Sequence, residues 1–92
     1  MGRGKRPIPK HLPAKLKEIR HSLNLSMDKM VEYLESELLK VGYIDIKIYS
    51  GHIAEFEQGK REPSLPVLFG YSLISKLSIN TLIDDREKSC KF

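Results

Sequence analysis

Lys60 and Arg61, one histidine, His52, and three acids, Glu55, Glu57 and Glu62, fall within the short stretch YSGHIAEFEQGKREP, Tyr49 to Pro63. Such side chains can hold an anion or a polar edge, but the chain lacks the partners that bond-breaking chemistry needs. Its one cysteine, Cys90, lies in a polar C-terminal stretch, which excludes an intramolecular disulfide and a cysteine zinc site of standard spacing. His11, His21 and His52 have neither metal-ligand spacing nor a shared helix face. The run GRGK near the N-terminus reads as a flexible basic arm rather than a phosphate-cradling loop. A nuclease built on scattered carboxylates is the only catalytic alternative, and the expectation is a binding protein, not an enzyme, with no cofactor and no metal.

Charge separates along the chain. Residues 1 to 20 hold seven of the 16 lysines and arginines (Arg3, Lys5, Arg6, Lys10, Lys15, Lys17 and Arg20) and one acid, Glu18, whereas the remainder is slightly acidic. A basic end of this kind suits contact with a polyanion, and its bland counterpart is a solubilising leader. With 92 residues the chain makes one domain, and a domain of that size buries only roughly 60% of its unfolded surface, which disfavours a deep cleft. No apolar run is long enough to span a bilayer, and the basic N-terminus does not lead into an apolar secretion segment. A cytoplasmic protein is therefore expected.

The elements that must position the Tyr49–Pro63 residues follow from punctuation and period. Residues 1 to 12, rich in proline and glycine, form a basic arm without sustained period. Leu16, Ile19 and Leu23 recur at helical spacing and predict a first helix from about Pro13 to Leu23, closed by Asn24. Ser26 is a good N-cap for a second helix with the apolar stripe Met30, Val31, Leu34, Leu38 and Val41, ended by Gly42. Although YIDIKIY, Tyr43 to Tyr49, alternates like a strand, it has no partner strand in the chain. It is expected instead as an extended connector pinned by Ile44, Ile46 and Ile48. Ser50 is expected to cap a third helix with Ile53 and Phe56 inward, ending at Gly59. Ser64 is expected to cap a fourth with Leu68, Tyr71 and either Ile74 or Ser75 inward, and Gly70 at a close helix contact. Ser78 is expected to cap a short fifth around Ile79, Leu82 and Ile83, before a polar tail, residues 86–92. The sum is a compact all-α domain of five helices over residues 13–85.

With the helices placed, LKEIRHSLNLSMDKMVEYL, IAEFEQGKREPSLPVLFGYS and LSINTLIDD resemble the lambda-repressor-like, or Xre-type, helix-turn-helix family. The likeness runs from about Leu16 to Asp85. Its most specific part is the E-x-G-K-R-x-P run from Glu57 to Pro63, accompanied by Arg20, Ser26, and Leu82 with Ile83 at the family's anchor positions.

The resemblance implies a third helix that enters the DNA major groove and a following loop that grips phosphates. A groove about 12 Å wide admits one helix. With Ile53 and Phe56 inward, Tyr49, Ser50, His52 and Glu55 would face base edges, Glu55 accepting from a cytosine amino group. Gly51 would allow close approach. Lys60 and Arg61, with Ser26 at the start of helix two and Arg3, Lys5 and Arg6 of the arm, would contact phosphates. Glu57 would pair with Arg20 as a structural ion pair. The implied function is a sequence-specific double-stranded DNA-binding transcriptional regulator, a bacterial or phage repressor on the nucleoid, acting as a homodimer.

Two departures from the family pattern stand out. Met27 replaces the usual glutamine after the helix-two serine, so that side-chain phosphate contact does not carry over. Val41 to Tyr49 replaces a turn of about 3 to 4 residues. A second class of function follows from the connector: an antitoxin or adaptor that grips another protein, such as a toxin, with DNA binding secondary. A third, single-strand or RNA binding, would call on the tyrosines.

Overall fold

The structure, a computed structural model, describes residues 9–84. Among these residues, five α-helices account for the regular structure: α1 Leu12–Ser22, α2 Met27–Lys40, α3 Ser50–Gln58, α4 Leu65–Ser75 and α5 Ile79–Ile83. No strand occurs among the described residues. Residues 1–8 of the arm, Asp85 and the whole tail, residues 86–92, lie outside the described residues.

Starts and stops follow local chemistry. Ser26 and Ser78 cap α2 and α5, their hydroxyls accepting the backbone N–H of Lys29 at 3.2 Å and of Thr81 at 3.1 Å. Ser64 occupies the cap position of α4 without a side-chain bond. Ser50 is not a cap: α3 begins one residue earlier than its serine suggests, Tyr49 is the extended cap residue, and Ser50 is already helical. At the other ends, α1, α2 and α3 close in the same manner. After α1, Asn24, with φ 58°, donates to the His21 carbonyl and Leu25 donates to that of Arg20. Gly42 and Tyr43 repeat this on Leu39 and Leu38, and Gly59 and Lys60 on Phe56 and Glu55. Each is a Schellman closure, in which a left-handed residue lets two amides satisfy carbonyls that the helix leaves open.

α2 packs against both α3 and α4, α1 packs against α3 and α5, and α4 also meets α5. The core takes Leu12, Leu16 and Ile19 from α1, Met30, Leu34 and Leu38 from α2, Ile53 and Phe56 from α3, Val67, Leu68, Tyr71 and Ile74 from α4, and Leu82 from α5. Burying each leucine or isoleucine contributes about 1.5–3 kcal/mol relative to exposure. α4 is apolar nearly all round and is correspondingly buried on more than one side, so Ile74 and Ser75 are both inside. At Gly70, a β-carbon would lie 3.1 Å from Leu34 Cδ2 and 3.3 Å from Leu38 Cγ, so α4 approaches α2 closely here.

Residues 41–49 are irregular, and the stripe and connector differ from expectation at two residues. Val41 is 47% exposed rather than inward, because α2 ends at Lys40 and the next position of its stripe falls past the helix. Ile44 is 75% exposed and pins nothing. Ile48 is buried, Ile46 packs partly against the core, and the Ile48 N–H donates to Glu35 Oε2 at 3.1 Å, so of the three isoleucines those nearer α3 tie the connector to the core.

Lys15, one of the seven basic residues among residues 1–20, is not on the surface. It lies on the apolar side of α1, fully buried, and its Nζ donates to the carbonyls of Thr81 at 2.8 Å and Asp84 at 2.7 Å. A cation thus closes the C-terminal end of α5, where unsatisfied carbonyls favour positive charge. No described helix is long and apolar enough to cross a membrane.

Candidate nucleic-acid interface

α3 carries two sets of side chains. Ile53 and Phe56 are buried, and helical spacing sets Gly51, His52 and Glu55 off that side; Ser50 flanks it, and Tyr49, four residues before Ile53, is exposed as the extended cap residue that precedes the helix. Tyr49 is 61% exposed, while His52 and Glu55 are half-buried. The His52 ring meets Tyr49 edge-on, with centroids 5.4 Å apart, and lies 6.4 Å from the Phe56 ring, so the core phenylalanine backs the histidine. The N-terminus of α3 has no side-chain cap, which leaves its first amides to solvent or a ligand.

The loop cations follow directly from the helix end. Gly59 adopts φ 77°, a conformation that costs other residues roughly 1–2 kcal/mol, and the reversal sets Lys60 and Arg61 beside the last turn. Lys60 and Arg61 are both exposed. Arg61 Nε donates to Glu55 Oε1 at 2.6 Å, bringing two of the expected contact residues together as an ion pair. That hydrogen bond, more than the charges of Arg61, His52 and Lys60, draws the Glu55 carboxyl below its ordinary value, against a smaller opposing effect of desolvation.

The second acid of α3 has a different neighbour. Arg20 grips Glu57 through Nε to Oε2 at 2.7 Å and through Nη2 to Oε1 at 2.9 Å, a two-point pair from α1 to α3. A third nitrogen, Nη1, donates to the Leu25 carbonyl at 2.9 Å, so one guanidinium joins α1, the α1–α2 turn and α3. The hydrogen bond to Glu57 is the main reason that the Arg20 pKa is raised. α3 therefore has its orientation fixed by a charge pair as well as by Ile53 and Phe56.

Ser26 is exposed at the start of α2, with its oxygen engaged as the cap. Arg3, Lys5 and Arg6 lie outside the described residues. Among the basic residues of the N-terminal stretch, Lys15 and Arg20 are taken up by the fold itself. Lys47 was passed over by sequence reasoning, yet with His52, Arg61 and Ser64 it lines an open hollow of about 240 Å³ floored by Ile48, Phe56 and Val67. Its signal was the alternation of YIDIKIY, which sets Lys47 opposite the buried Ile48. Glu35 was also missed; only the fold shows that it receives the connector's Ile48 amide.

Several large apolar side chains are also exposed. Leu39, Val41, Tyr43, Ile44 and Leu65 are exposed apolar side chains at the end of α2, in the connector and at the start of α4, and the Tyr43 ring meets that of Phe69 at 6.2 Å. Compared with protein-family models, with curated proteins and with solved structures, the chain matches none.

Proposed function

We propose that the chain is a sequence-specific double-stranded DNA-binding regulator of the lambda-repressor-like helix-turn-helix type, a repressor that acts by occupying operator DNA. The observation that carries the reading is the combination on α3 and its exit: a polar row of exposed Tyr49 with half-buried Ser50, His52 and Glu55, followed through a Schellman closure by the exposed cations Lys60 and Arg61. A helix of this diameter fits the major groove, polar side chains near its start can reach base edges, and cations just beyond its end meet the flanking phosphates. Bracing by Arg20 supports the reading, since base contacts require a helix held in one orientation relative to the backbone contacts. Here α2 and α3 are the two helices of the motif, joined by residues 41–49 in place of a tight turn. Binding as a homodimer would place two copies of α3 about 34 Å apart on one face of the duplex.

The direct test is affinity for duplex DNA as a function of salt, for the native chain and for Lys60→Ala with Arg61→Ala. Binding should weaken steeply with salt in the native chain. In the double variant the slope of log affinity against log salt should fall by about 1 for each phosphate that is no longer neutralised. Tighter binding to single strands than to duplex would contradict the reading.

An antitoxin or adaptor is the second reading, and the exposed apolar residues Leu39, Val41, Tyr43, Ile44 and Leu65 favour it. It predicts that a protein ligand, not duplex DNA, protects these residues from solvent.

A further inference from the structure

Glu55 poses a physical problem for any DNA interface on α3, because a carboxylate brought to a polyanion is repelled. The geometry supplies the compensation: Arg61, from the loop beyond Gly59, reaches back to within 2.6 Å of the carboxylate, and both side chains remain substantially exposed, at 52% for Arg61 and 41% for Glu55. No other partner is needed to hold the pair, and water can reach both groups, so it can open at little cost. Only one of the guanidinium's nitrogens, Nε, makes this contact.

Resting on the DNA-binding reading of α3, we infer that the Glu55–Arg61 pair is an exchangeable filter that makes cytosine the base required opposite Glu55. While the pair is closed, Glu55 cancels the charge that Arg61 offers to phosphate. When α3 enters the major groove and water is excluded, Arg61 can turn fully to a phosphate without leaving Glu55 unsolvated only if Glu55 gains another donor in place of it. Among base edges in that groove, the amino groups of cytosine and adenine are the only donors, and adenine places the N7 acceptor beside its amino group. Guanine and thymine present acceptors there, which a carboxylate meets unfavourably. Cytosine alone therefore satisfies Glu55 and frees Arg61 together. On any other sequence the pair stays closed or Glu55 is left unpaired, and binding forgoes either the Arg61–phosphate bond or the solvation of a charge. His52, one turn before Glu55, and Lys60 also lie close enough to influence the carboxylate, but neither is hydrogen-bonded to it.

The experiment is selection from a random duplex pool by the native chain and by Glu55→Gln, with salt-dependent affinity for mixed-sequence duplex measured on both. Thermal melts establish that each is folded. The native chain should enrich sites with cytosine at one fixed position of the half-site. Glu55→Gln should lose that preference, shift towards adenine, and bind mixed-sequence DNA about fivefold more tightly, the most that an exposed pair is expected to withhold. Its salt slope should be steeper by about one phosphate's share, because Arg61 is freed. If the native chain enriches a motif and Glu55→Gln yields the same motif with the same affinity for mixed DNA, the filter is wrong while the regulator reading stands. Folded native protein that enriches nothing and does not bind duplex overturns the regulator reading, and the filter with it.

Discussion

Glu57 and Glu55 belong to one helix and each binds an arginine through its carboxylate, yet their surroundings are opposite. The Arg20–Glu57 side chains are 11% and 4% exposed and are joined at two points, whereas Arg61–Glu55 is exposed and joined at one. A largely buried pair is expensive to leave half-made, since the surviving charge has neither water nor a partner. An exposed pair exchanges with water and salt at a cost near the thermal energy. The contrast teaches how one short helix can be both fixed and responsive: one acid anchors α3 to α1, and the other is free to change partners.

The largest effect should come from breaking the inner pair on one side. Glu57→Ala should destabilise the fold by about 3–5 kcal/mol, read by chemical denaturation, and a loss below about 1 kcal/mol would place this pair in the same class as the outer one. Replacing both members, Arg20→Met with Glu57→Leu, should recover much of that loss, because no lone charge remains buried. Recovery should be incomplete, since the Leu25 carbonyl is also deprived of its Arg20 donor.

A smaller effect is expected at Tyr71, which interacts electrostatically with both members of the inner pair. Its hydroxyl is buried without a hydrogen-bond partner, so Tyr71→Phe should leave stability unchanged or raise it by about 1 kcal/mol. Burial, reinforced by Glu57 and weakly opposed by Arg20, pushes the phenol above its ordinary value of 10.0. A folded-state value raised in this way means that stability is intact below about pH 10 and is lost as pH rises through the interval above it. Tyr71→Phe should remove that alkaline loss, and denaturation curves near neutrality and above pH 10 would show it.

The smallest effects belong to the outer pair. Glu55→Ala and Arg61→Ala should each leave stability nearly unchanged in denaturation curves, whatever they do to binding. Glu55 has a depressed folded-state value, so its small contribution is present above the ordinary carboxylate value of 4.5 and fades as pH falls through the depressed one. Added salt should weaken this pair and leave Arg20–Glu57 nearly untouched, since screening acts mainly on solvated charges.

Helices were legible wherever a cap, a period and a stop coincided. Around α2, Ser26, the stripe from Met30 to Leu38 and Gly42 agree on one element, and the structure has it as Met27–Lys40. The Arg20–Glu57 contact was suggested only by resemblance, because two charges so far apart in the chain carry no local signal of meeting. Lys15 misleads for the same reason in reverse. Its charge suggests an exposed arm, while its position between Leu12 and Ile19 on the apolar side of α1 points inward, and a long side chain can obey both by carrying its charge to the α5 carbonyls. Ile44 and Val41 mislead because apolar character is not burial: a chain leaving a helix turns successive residues to different sides. The Glu55–Arg61 pair needed the reversal at Gly59 to be seen, since it joins a helix to the loop that follows.

The central claim is that the outward side of α3 and the cations after it meet duplex DNA. It is tested most directly by following backbone amide resonances of the isotopically labelled native chain as a mixed-sequence duplex, and then a selected one, is added. The largest shifts should fall at Tyr49 to Arg61 and near Ser26, and the selected duplex should perturb Glu55 and Arg61 more than the mixed one. Shifts confined to Leu39, Val41, Tyr43, Ile44 and Leu65, or no shifts at all with the protein folded, would contradict it.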